Sequence, residues 1–186
     1  MRKLVDYAFK YELIELYLEN PNEYENESFF WGYITHDLND FFVFQSITKT
    51  GTLDSIQIIR KKSIIHIEKE TRDTKMYKFF IAYNKTRKSF DTFNLELIYA
   101  LYEEKSFNGI LNVCLKYKSI ITVNTGEKIW TGRIVLLDEK TIVLSVPHFV
   151  TEDVVEKELL MLSEIISISV LSAENFLLSN FLNYNK

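Results

Sequence analysis

The residues of this chain that could do chemistry are few: His36, His66, His148, Cys114 and the aspartates Asp37 and Asp40. None of the histidines has a cysteine, a second histidine or a carboxylate at a spacing recognised for zinc ligands. His36, Asp37 and Asp40 fall together in "THDLND". Aspartate is favoured there because it hydrogen-bonds turn backbone, so a turn outweighs an acid–base cluster. His66 lies between Ile65 and Ile67 of an alternating segment and should face away from both. His148 follows Pro147 in a loop. Cys114 sits on the apolar side of "GILNVCLKY", the setting of a small core residue rather than a nucleophile. The five glycines are scattered, and no glycine-rich phosphate loop occurs. These residue types point away from catalysis, from a metal or other cofactor, and from a small-molecule substrate.

Binding chemistry is better represented. From Arg60 to Lys88 there are ten basic and three acidic residues, interleaved with Tyr77, Phe79, Phe80 and Tyr83. The candidate surface comprises Arg60, Lys61, Lys62, Lys75, Lys78, Lys85, Arg87 and Lys88. Cations among aromatics can hold a phosphate backbone while bases stack, or can meet an acidic protein partner. The plainer reading is an amphipathic helix with Phe79 and Phe80 packed inward and the lysines solvated, and it is favoured. Met1 to Ser28 has the opposite balance, three basic and seven acidic residues, and could be attracted to the basic span within or between chains.

The totals narrow the class. The chain has 186 residues, 47% of them hydrophobic and 26% charged, which describes an ordinary globular protein. A net charge of -4 argues against wholesale attachment to nucleic acid, so any RNA binding should be weak, non-specific and local to the basic span. One cysteine excludes an internal disulfide and fits a reducing compartment. The amino terminus meets Asp6, Lys10 and Glu12 before a signal-peptide core can form. "LLMLSEIISISVLSA" is broken by Glu164 and is too short to cross a bilayer. A cytoplasmic protein without membrane attachment is expected.

The elements that position these residues come in two sets. "FKYELIELYLEN" matches "LKYKSIITVNTG", placing Ile14 on Ile120. "WGYITHDLNDFFVFQ" matches "TGRIVLLDEKTIVLS", with Gly32 on Gly132, and "KSIIHIEKE" matches "SEIISISVL", with Ile67 on Ile168. Each copy reads as a short helix ("KLVDYAFKY", "GILNVCLKY") followed by five strands, and a glycine in the second strand marks a sharp bend or a close backbone approach. The connector contains a helix with Met76, Phe79, Phe80 and Tyr83 on one side. A second helix follows, with Leu95, Ile98, Leu101 and Tyr102 at helical spacing. A closing helix is expected from Ala173. The polar span near 84–92 divides the chain into 1–88 and 89–186.

A short helix before five bent strands, with glycine in the second, resembles the Sm-like fold, the Hfq/LSm-type family. "GRIVLLDEKTIVL" is similar to its first motif and "IRKKSIIHI" to its second, with Arg60 in the arginine position. The resemblance implies two tandem, closed, five-stranded Sm-like or SH3-like barrels, and assembly through strand edges. The residues with which such proteins read uridine-rich RNA are absent: Ile142 and Phe42 stand at the asparagine position, and Lys61 and Leu162 at the glycine of the Arg-Gly pair. Apolar residues cannot hydrogen-bond a base edge. The sequence therefore predicts mainly β structure and a non-enzymatic module for protein–protein interaction or self-association. RNA binding through the basic span is the alternative.

Overall fold

The computed structural model describes residues 11–19, 29–102, 105–147 and 155–184. Five strands open the chain: β1 (Leu13–Leu18), β2 (Phe29–Asp37), β3 (Phe41–Ile47), β4 (Leu53–Arg60) and β5 (Ile64–Lys69). Three helices follow: α1 (Arg72–Thr86), α2 (Leu95–Ala100) and α3 (Phe107–Lys116). Five more strands, β6 (Ile120–Asn124), β7 (Ile129–Leu137), β8 (Thr141–Pro147), β9 (Val155–Met161) and β10 (Ser167–Ser172), lead to α4 (Ala173–Tyr184). The expected helix over Lys3–Tyr11 and the loop holding His148 fall outside the described residues, apart from Tyr11.

The ten strands among the described residues form one antiparallel sheet in the order β5-β1-β2-β3-β4-β10-β6-β7-β8-β9. Two closed barrels are therefore not what the chain builds. Closure would need β5 to pair with β4, and β10 with β9. Instead β4 pairs with β10, and among the described residues β5 and β9 are the free edges of one open sheet. The Sm-like resemblance falls with that finding, and so does the duplicated-barrel assembly and RNA-binding reading that rested on it. The physical reason is partner choice: the hydrogen-bonding edge of β4 takes a strand more than a hundred residues away rather than its own neighbour.

The strands of each half do follow the same order. The pairings Ile14–Gly32 and Ile121–Gly132 make Ile14 the counterpart of Ile121, not of Ile120. A one-residue slip exchanges the two faces of a strand, so the register follows the sheet rather than the closest letter match. Gly32 is required by crowding. A Cβ there would collide with the Gln45 carbonyl oxygen and come within 2.6 Å of the Phe44 ring. At Gly132 the Ser145 carbonyl oxygen would be 2.5 Å away.

Directly paired residues share a face, so the sheet can be read row by row. One face carries Phe41, Val43, Ile56, Ile58, Ile168, Val123, Ile134, Ile142, Leu144 and Leu160, all buried. The helices complete this main core with Tyr77 and Ile81 from α1, Leu95 and Tyr99 from α2, and Ile110, Leu111 and Cys114 from α3. A second cluster on the opposite face of the first half holds Ile14, Leu16, Ile34, Phe42, Phe44 and Ile59. Strands β3 and β4 are thus buried on both faces, whereas β8 and β9 alternate and are buried on one.

Candidate interaction surfaces

The basic span does not form a single site. Arg60 ends β4 and turns inward: its Nε donates to the Ile165 carbonyl at 2.6 Å, and its Nη2 donates to the Leu162 carbonyl. Its guanidinium stacks 4.4 Å from the Phe41 ring centre, and burial lowers its pKa. Lys61 donates to Asp37 at 2.7 Å and lies over the Phe42 ring. The two cations at the head of the span therefore hold the sheet together, and Lys62 is exposed on a 3-10 turn between β4 and β5. The rest lie on or beside α1. Lys75 and Lys78 are exposed on the helix, Lys85 covers the Phe90 ring at 4.7 Å, and Arg87 covers Tyr83 at 4.9 Å. Lys88 takes a left-handed turn conformation just after it.

Which face of α1 is buried differs from the sequence expectation. The helix starts at Thr71, whose hydroxyl accepts from the Thr74 amide at 3.0 Å. From there Thr74, Tyr77 and Ile81 point into the core, with Tyr77 against Trp31. Phe80 is half-buried. Met76, Phe79 and Tyr83 form an outward stripe; Phe79 is 68% exposed and stacks on Tyr83. The stripe is flanked by Arg72, Lys75, Lys78 and Arg87, and Asp73 is the only acidic residue of α1. In α2 and the two residues after it, likewise, Leu95, Tyr99 and Tyr102 are buried while Leu101 is exposed. The helical period was legible in both, but two stripes compete on each helix and packing selects one.

A second surface was not anticipated. In the second half the outer face carries the row Leu136–Val143–Leu159 across β7, β8 and β9. The equivalent first-half residues, Val43 and Ile58, are 0% exposed under the helices, whereas Leu159 is 64% exposed. Leu136, Val135 and Met161 are also exposed. Beside this bare region lies α4, seated on β6 and β10 through Asn175, which accepts from the Thr122 hydroxyl at 3.1 Å. The only sequence signal was that β9 has Leu159 and Met161 among charges, which the letter pattern alone does not distinguish from a buried strand.

The candidate chemical residues are otherwise engaged. Asp37 accepts from the Asn39 amide at 2.9 Å as well as from Lys61, which makes it a turn and pairing residue. His36 Nδ1 is 3.1 Å from the Thr35 hydroxyl, and His66 Nε2 is 2.9 Å from Glu68 on the β5 edge. Ile65 is skipped by a bulge, so it is exposed rather than paired. Cys114 is fully buried, and burial pushes its thiol up to about 12. Among the described residues no group of three or more His, Cys, Asp or Glu side chains could hold a metal ion, and no helix is long and apolar enough to cross a membrane. No protein-family model matches this chain, and no curated protein or solved structure matches it.

Proposed function

We propose that this protein binds an acidic segment of another protein through the outward stripe of α1, and that it has no catalytic role. One observation carries the reading: Met76, Phe79 and Tyr83 face solvent inside a ring of cations although the same helix has a packed apolar face. Exposed aromatic side chains surrounded by charge are the usual anchors of an interface, because the rings supply buried area and the cations select the partner. Nucleic acid fits less well. Single-strand binding needs a charged groove that follows the backbone, and here Arg60 and Lys61 are spent on internal carbonyls and Asp37. A lone buried thiol accords with a cytoplasmic setting.

The test is site-specific photo-crosslinking in the source cell, with the probe at position 79 and at Lys49 as a control. The expected result is a discrete adduct at 79 only, mapping to an acid-rich protein segment and weakened by raised salt. Equal labelling at both positions, or an adduct made mainly of RNA, would overturn it.

A further inference from the structure

We infer that two copies of this chain associate about a two-fold axis, with α4 of each lying on the bare β7–β9 face of the other. The inference is independent of the α1 reading, because α1 packs on the opposite face of the sheet.

Two apolar surfaces without a partner among the described residues adjoin on the outer face of the second half. One is the row Leu136–Val143–Leu159, with Met161 beside it. The other is the far side of α4, where Leu177 and Phe181 are each 56% exposed, and Tyr184 follows one turn later. These three recur at helical spacing and form a stripe directed away from β6 and β10. The helix stands about 10 Å above the sheet, one helix diameter, so the bare strands beside it form a step. Its twelve residues extend about 18 Å, and three adjacent strands span about 10 Å between outer axes. The step therefore has room for one helix. A two-fold operation puts each α4 into the other copy's step, filling both at once, as a self-complementary interface requires.

Charge and hydrogen bonding support a second copy of α4 as the occupant. The row next to Leu136–Val143–Leu159 on the same face is Arg133–Ser145–Lys157, and Arg133 Nε is buried without a hydrogen-bond partner among the described residues. Glu174 is the only charged side chain of α4, which also presents Asn180, Asn183 and the acceptor-rich carbonyls of its last turn. An acceptor from the incoming helix would meet the exposed Lys157 of that row.

Association through the free strand edges is disfavoured by the residues they carry. At the internal junction Gln57 of β4 faces Ser169 of β10. The counterparts of these two on the free edges are Glu158 and Glu68, so a β9–β5 contact in the same register would oppose two carboxylates.

The experiment uses the full chain. Sedimentation equilibrium should give twice the 22.0 kDa chain mass, and Leu159→Glu and Phe181→Glu should each weaken the dimer by at least about tenfold. Because a charged variant could lose its fold, a second arm mixes Leu159→Cys chains with Phe181→Cys chains under mild oxidation. Mixed 159–181 disulfides should exceed those formed within either single pool. A monomer at all concentrations, a dimer unaffected by both substitutions, or no excess of mixed disulfide would each overturn the inference.

Discussion

Arg60 and Ile165 belong to opposite halves of the sheet, and the Arg60 Nε donates to the Ile165 carbonyl at 2.6 Å. With the Nη2 bond to Leu162, the side chain pins the segment entering β10 against the end of β4. Backbone bonds run alongside: the Arg60 amide donates to the Ile166 carbonyl. On β9 the equivalent position is Met161, which pairs with Thr141 as Arg60 pairs with Phe41. The arginine is present where two halves join and absent at the free edge.

Replacing Arg60 with Ala should therefore weaken the junction. Loss of two charge-assisted bonds to carbonyls predicts a cost of about 2–3 kcal/mol in chemical denaturation. Arg60→Lys should recover only part of it, because an ammonium cannot address both oxygens from one planar group. An unchanged midpoint for Arg60→Ala would remove the junction role.

At the glycines, a valine must displace backbone across the sheet. Gly132→Val should cost about 1–3 kcal/mol, and Gly32→Val more, since its Cβ meets both the Gln45 carbonyl and the Phe44 ring. Thermal melts of the two variants test the order as well as the sign.

Cys114 should be inert in the folded state. Its thiol is fully buried, and burial pushes its pKa up to about 12 from an ordinary 9.0. Ellman's reagent at about pH 8 should label it only after denaturant is added. Rapid labelling of native protein would contradict the packing.

High pH should destabilise the fold. Cys114 and Tyr99 are both raised by burial to about 12, above their ordinary 9.0 and 10.0. Between those limits the unfolded chain releases protons that the native state retains, so the unfolding free energy falls as pH rises. Stability from these groups is complete below about pH 9 and declines from there towards pH 12. Urea denaturation at pH 7, 9 and 10.5 should show the decline, and a flat profile would refute it.

The free edges offer a gain-of-association test. Glu68→Thr with Glu158→Gln removes the opposed carboxylates and restores residues close to those of the internal junction. Open-ended edge pairing should then yield larger oligomers by light scattering than the parent chain gives under the same conditions. If the variant behaves as the parent does, charge is not what blunts the edges.

Much of the local structure was decided by sequence alone. Alternating runs marked the strands, the glycine at 32 and at 132 marked their close approach, and the apolar segment from Ala173 became α4. The burial of Cys114 on an apolar helix side was equally readable, because periodicity fixes which residues of one element share a face. Tertiary structure alone decided the rest. Whether β4 pairs with β5 or with β10 depends on competition between edges distant in the chain, and no local pattern encodes the winner. That choice opened the sheet and recruited Arg60 from a candidate binding surface into a junction. Packing likewise turns Tyr77 and Ile81 of α1 inward, Tyr77 against Trp31, while Phe79 and Tyr83 stay out, since a helix with two apolar stripes buries the one its neighbours can fill. On the second half nothing among the described residues fills the outer face, and Leu159 is exposed where its counterpart Ile58 is covered.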